Sequence, residues 1–175
     1  PEVRNITAIE AEAGRYRRLA EARGLEPGPI VIDYLNLIRG PDNLSAYERI
    51  SLITARLKEL ALRLHVPVIL LAQLSRAVEQ REDKRPVLSD LRDSSSIEQD
   101  ADNILFLYRD AYYAEREKPA DSAPEDKHQA WSARVAKAAD TLEIILAKVR
   151  SGETSTVRVG VDLANNHFWD LGRSA

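Results

Sequence analysis

Residues 28–39 read GPIVIDYLNLIR, a Gly-Pro break followed by an apolar run that carries one acid, Asp33. Ile30 to Leu37 is aliphatic or β-branched on both faces, which predicts a strand buried in the middle of a parallel sheet. The next two segments settle the class. Ser45-Ala46-Tyr47-Glu48 is a capping box, and behind it Ile50, Ile53, Leu57, Leu60 and Leu64 recur at helical spacing until Pro67 forces an end. Val66 to Ala72 is then a second continuous apolar run. Strand, helix and strand in this order, with a crossover of this length, form a βαβ unit with parallel strands. The chain is therefore read as α/β with a partly parallel sheet.

Upstream, Thr7-Ala8-Ile9-Glu10 is a second capping box, and Ile9, Ala13, Tyr16 and Ala20 predict a helix that Gly24 stops. Its other face, with Glu12, Arg15, Arg17, Arg18 and Glu21, reads as solvated. Downstream, a polar loop over Ser75 to Asp93 leads to a third buried strand, Asn103 to Tyr108. Residues 110–140, with Pro119, Pro124 and many charges, read as an exposed insertion holding one short helix around Trp131 to Ala139. Leu142 to Val149, Ser155 to Val161 and His167 to Asp170 read as strands joined by turns at Ser151-Gly152 and Asn165-Asn166, an antiparallel C-terminal portion.

At 175 residues, 44% hydrophobic and 30% charged, the chain suits one domain with a substantial core. A net charge of −3 excludes a uniformly basic nucleic-acid coat, and the absence of cysteine excludes disulfides and thiolate metal sites. No apolar run approaches the ~18 residues of a membrane span, so no membrane partner is expected and a cytoplasmic location is. His65, His128 and His167 lack metal-ligand spacing, and His65 reads as a structural residue at a helix end. The chain starts at Pro1 and has no methionine, so it is expected to be cut from something longer.

Ligands gather at the carboxyl ends of parallel strands in open α/β sheets. Asp33 and Gln73 both stand there. A carboxylate at that place can hold the magnesium of a bound nucleotide, and a neutral amide beside it can sense a γ-phosphate or orient water; the bland alternatives are a turn cap and a loop hydrogen bond. Leu91 to Asp102 is rich in small residues and could bring Arg92 and backbone N–H groups to phosphates, or could be the N-cap run of a helix starting near Ser96. Lys148 and Arg150 alternate onto one face at a strand end, both pointing away from the core. There a rigid guanidinium could neutralise charge in phosphoryl transfer, or could simply be solvated. Asp100 and Asp102 read as a solvated turn.

The segments VIDYLNLIR, LHVPVILLAQLSRAVEQREDKRPVLSDLRDSSSIEQDADNILFLYRD and AKVRSGETSTVRV together resemble the C-terminal, RecA-like motor domain of bacterial replicative helicases of the DnaB family. The block from Gln80 to Asp110, with its KRP, SDLR and SIEQDAD words in that order, is the most distinctive part. The resemblance implies a RecA-like P-loop ATPase core that uses ATP and Mg2+. In it Asp33 takes the Walker B position and Gln73 the phosphate-sensing one, while Lys148 and Arg150 reach in trans into the adjacent subunit's site. Arg92, Asp93 and Ser95 would follow single-stranded DNA. It also implies a hexameric ring, with primase and a helicase loader as partners. The family usually reads Arg-Glu-Ser-Gly where this chain has Arg-Asp-Ser-Ser, which bears on any contact needing a glycine. No G-x-x-x-x-G-K-[ST] loop occurs in the chain, so residues 1–175 are expected to be the second half of one motor domain, inactive alone, with 110–140 as an insertion. Two alternatives stay open: a non-catalytic RecA-like interaction module, and a recombinase or circadian-clock type RecA-fold ATPase.

Overall fold

The computed structural model describes residues 5–91 and 94–172. They form two compact units, Pro1–Ala101 and Asp102–Ala175.

The first unit holds helices α1 (Ile6–Ala22), α2 (Ala46–Leu64) and α3 (Ser94–Asp100) and the parallel strands β1 (Ile30–Ile32) and β2 (Val68–Leu70). Helix α2 follows its sequence signal closely. Ser45 and Glu48 close the capping box, Ile50, Ile53, Leu57, Leu60 and Leu64 are all buried, and His65 ends the helix in the left-handed conformation at φ 51°. Helix α1 is capped by Asn5, whose side chain accepts from the Thr7 N–H (2.9 Å), so the cap lies before the predicted box; Tyr16 of the predicted stripe is exposed. Arg17 is not merely solvated: it donates to the Leu64 carbonyl at the end of α2, where orphan carbonyls need a donor. Arg56 of α2 donates in turn to Glu10 of α1.

The strands are shorter than predicted and are not buried on both faces. Val31 is 61% exposed and Ile69 49%, because the pleat turns alternate residues to a face open to solvent. β1 stops at Ile32 because the chain turns into a short 3-10 segment, Leu35–Leu37, which buries Leu35 and then Ile38.

The second unit is an antiparallel sheet of β3 (Asn103–Tyr108), β4 (Thr141–Val149), β5 (Ser155–Asp162) and β6 (His167–Asp170), in that spatial order. β3 pairs with β4, not with the parallel strands, and alternates: Ile104, Phe106 and Tyr108 are buried while Leu105 and Leu107 are exposed. Gly160 of β5 lies under Trp169 of β6, where a Cβ would come within 2.0 Å of the indole. Between β3 and β4 the chain forms two helices, α4 (Asp110–Ala114) and α5 (Glu125–Ala138), where one was expected. Pro124 is the N-cap of α5, not a breaker inside it, and Glu125, Asp126 and Lys137 complement the helix dipole. Trp131 donates to the Ala114 carbonyl (2.8 Å), and Arg134 bridges Asp110 and Glu117, which raise its pKa.

Candidate functional site

β1 and β2 pair in register, Ile30 to Ile32 opposite Val68 to Leu70. Beyond them Leu71 N–H donates to the Ile32 carbonyl (3.0 Å) and Leu35 N–H to the Leu71 carbonyl (2.8 Å). Asp33 directly follows β1 and Gln73 lies three residues past β2, both exposed at the carboxyl ends of neighbouring parallel strands. The peptide joining Asp33 to Tyr34 is cis. Among the described residues, neither side chain takes part in a hydrogen bond or ion pair. A carboxylate with its lone pairs unused, beside an amide, is the donor set that a hard cation and phosphate oxygens require. The described residues hold no cluster of three or more metal-binding side chains. Magnesium on a nucleotide needs none, since it keeps several waters and takes one or two carboxylates plus phosphates. Asp33 alone fits it.

The polar loop after Gln73 is folded, not loose. Leu74 and Leu91 form an antiparallel bridge, and Ser75 N–H donates to the Asp90 carbonyl (2.7 Å), so the segment leaves and returns at one place. Inside it Asp90, 3% exposed, accepts from Arg81 (2.7 and 3.2 Å) and from the Val87 N–H (2.8 Å). Arg81 also donates to the Arg85 carbonyl (2.8 Å) and Lys84 to the Arg81 carbonyl (3.2 Å). The SDLR word thus supplies the buried acid, Asp90, of an ion pair whose arginine, Arg81, lies three residues before the KRP word.

Arg92 and Asp93 lie outside the described residues. Ser95 does not: it belongs to α3, which starts at Ser94, two residues before the expected start. Its φ is not positive, so a serine fits where the family pattern has glycine. Its hydroxyl lies 2.9 Å from the Tyr47 hydroxyl. Ser51 bonds Ser96, and Thr54 donates to Asp100 (2.5 Å). Asp100 is therefore anchored, not a solvated turn residue. Ser95 and then Ser96 hold the Tyr47 phenol below its ordinary pKa, against desolvation.

Lys148 and Arg150 lie in the second unit. The β3–β4 register shifts between Ile104 and Leu105, leaving Ala147 as an extra residue on β4. This bulge places Lys148 opposite Ile104, on the face that buries Ile104, Phe106 and Tyr108, so Lys148 is half-buried and does not point away from the core. Arg150 is exposed just past β4. Its N–H donates to the Asp102 carbonyl (2.9 Å) and its guanidinium to the Asp102 carboxylate (2.6 Å). Asp102 is thus an ion-pair partner, not a solvated turn residue.

Sequence reasoning passed over Arg81 and Asp90, saw Tyr47 only as part of a capping box, and read Asp102 as a solvated turn residue. Asp90 had one signal, an acid inside an otherwise family-like word; the others had none, because a partner 9 to 48 residues away leaves no local period.

The sequence model of the family described as DnaB-like helicase C terminal domain matches residues 2–170. The replicative DNA helicase DnaB of Rickettsia bellii is 46% identical over 166 residues, 93% of this chain and 33% of the relative. The replicative DNA helicase DnaC of Bacillus subtilis is 45% identical over 161 residues, 91% and 31% of the two chains. The chain therefore spans about a third of the length of these curated relatives. A solved structure of the ATPase domain of G40P superposes with a TM-score of 0.76 at 38% identity, covering 97% of this chain and 52% of that one. A DnaB-like replicative helicase, solved in a study of its interactions with primase, superposes with the same score and identity over 97% of this chain and 35% of that one. The α/β architecture read from the sequence is that of these ATPase domains.

Proposed function

The chain belongs to the DnaB-like helicase C terminal domain family, and we propose that it is part of a hexameric replicative helicase that couples ATP hydrolysis to movement along single-stranded DNA and unwinding of the duplex. The observation that carries this reading is the pair of strand tips in the first unit, where Asp33 and Gln73 stand exposed and unpaired among the described residues. A polar side chain with a purely structural role at a strand end would cap the turn or bond the loop that follows, and among the described residues these two do neither. Asp33 holds the magnesium of ATP, directly or through its water shell, and the ion when bound neutralises phosphate charge. Gln73 would sense the γ-phosphate or orient water. Arg150, with Lys148, completes the nucleotide site of the next subunit and stabilises charge on the transferred phosphoryl group. Arg92, Asp93 and Ser95 follow the DNA backbone.

On this reading residues 1–175 are one part of a RecA-like motor, and residues 110–140 are an insertion in it. Primase enters as a partner through the structural relative studied with it, a helicase loader through the family resemblance. The cysteine-free chain suits a reducing cytoplasm, and among the described residues no helix is long and apolar enough to cross a membrane.

The test is DNA-stimulated ATP hydrolysis by the complete gene product. Asp33→Asn should lower turnover by at least about a hundredfold, as loss of one preorganised electrostatic group at a phosphoryl site does, while the chain alone should show none. Wild-type turnover in Asp33→Asn would return the strand tips to a structural role and favour a non-catalytic interaction module.

A further inference from the structure

Helix α3 has only seven residues, too few to be stable by its own backbone bonds. Side chains from α2 hold it. Tyr47, Ser51 and Thr54, at i, i+4 and i+7, form one stripe along α2, and each bonds a different residue of α3: Ser95, Ser96 and Asp100. Ser96 and Thr54 are buried, and Thr54 also donates to the Ser51 carbonyl (3.2 Å). Ile97 is buried beside them. The rungs are therefore graded, from a half-exposed phenol at the Ser95 end to a buried hydroxyl on a carboxylate at the Asp100 end.

We propose that this hydroxyl seam is a preorganising device for the DNA-facing segment, with Tyr47 and Thr54 as positioning residues that fix α3, and with it Ser95, before DNA arrives. The inference rests on the reading that the segment around Ser95 follows the DNA backbone. Its physical content is entropic. A segment held in place beforehand does not lose backbone and side-chain freedom when it binds, so removing the seam transfers that cost to the binding step. The seam contributes hydroxyls and no cation, so it changes affinity without changing the number of phosphates neutralised. That separates a positioning role from a contact. It also explains how this chain uses a serine where its family pattern has glycine: the added hydroxyl has a partner, Tyr47, on the helix behind it.

The experiment measures single-stranded oligonucleotide affinity across a salt series for the complete gene product. Tyr47→Phe removes one hydroxyl at an exposed position and should weaken binding about threefold, the net value of one hydrogen bond. Thr54→Val should weaken it by about tenfold because it strands a carboxylate partner, and Thr54→Ser, which keeps the hydroxyl, should restore it. Both weakened variants should keep the wild-type slope of log affinity against log salt, and nucleotide affinity should not change. Arg92→Ala, by contrast, should lower that slope by about 0.7, one phosphate contact on a single strand. Wild-type affinity in Tyr47→Phe and Thr54→Val would overturn the proposal. A reduced salt slope in Tyr47→Phe would overturn it too, by making Tyr47 a direct DNA contact. Absence of DNA binding by the wild-type protein would overturn the underlying reading as well, and is recognised separately because no variant is then needed.

Discussion

Two arginine–aspartate pairs, one in each unit, have almost the same geometry and opposite surroundings. Arg81 and Asp90 meet at 2.7 Å, Arg150 and Asp102 at 2.6 Å. The Arg81 and Asp90 side chains are 36% and 4% exposed, whereas Arg150 and Asp102 are 65% and 45% exposed. Removing Arg81 would leave the Asp90 carboxylate where water does not reach it, so the first pair is locked. The exposed pair is worth at most ~1 kcal/mol, because water competes for both ends. Distance alone would call these pairs equivalent. Burial decides that one closes a loop permanently and the other holds a cation that can be released cheaply to another anion.

The largest expected effect tests the released cation. Arg150→Ala should lower DNA-stimulated ATP hydrolysis by about a thousandfold, as loss of a trans-acting arginine does, with nucleotide binding unchanged. Normal turnover would leave the Asp102 pair as the whole role of Arg150. Next comes the locked pair: Arg81→Ala, which strands the buried Asp90 carboxylate, should destabilise the protein by about 3 kcal/mol in denaturant unfolding, the lower end for a broken buried pair. A change under ~1 kcal/mol would mean that burial does not separate the two pairs. Asp102→Ala should alter hydrolysis by less than about fivefold, the value of one exposed ion pair. A loss as large as that of Arg150→Ala would show that Arg150 works only while paired in its own chain.

The smallest effect calibrates an exposed carboxylate held by hydrogen bonds alone. In the capping box Glu48 accepts from the Ser45 hydroxyl (2.6 Å) and from its backbone N–H (2.9 Å), and the Ser45 side chain, then its backbone, lowers the Glu48 pKa. A carboxylate depressed in the folded state adds stability above its unfolded pKa and loses it as pH falls through the folded value. Glu48→Gln should therefore be slightly less stable than wild type near neutrality, and the two should converge in acid. A gap that persists below the carboxylate range would assign the cap's value to shape and not to charge.

Much of the fold was legible because its signals are local. A capping box and a stripe of five apolar residues determined α2, since both depend on helical geometry within a few turns. β3 and β6 came out with their predicted bounds, because a short apolar run in β3 and the Asn165-Asn166 turn before β6 mark where each begins. The βαβ order followed from connection length. Where a local signal had two readings, the choice failed: Pro124 begins a helix, and Asn5 caps α1 ahead of the predicted box.

By itself, then, the sequence determined the α/β class, the parallel pairing of β1 with β2, the antiparallel end and the placement of Asp33 and Gln73 at strand tips. Each depends on periodicity or on a residue's position along one element. Only the tertiary structure decided which charges are paired and which face a side chain takes. A one-residue bulge at Ala147 turned Lys148 to the buried side, and contacts between residues 45 to 48 positions apart placed Ser95, Ser96 and Asp100 on α2. Burial and pairing belong to the surroundings of an atom in space. Those surroundings are assembled from segments whose separation along the chain carries no period to read.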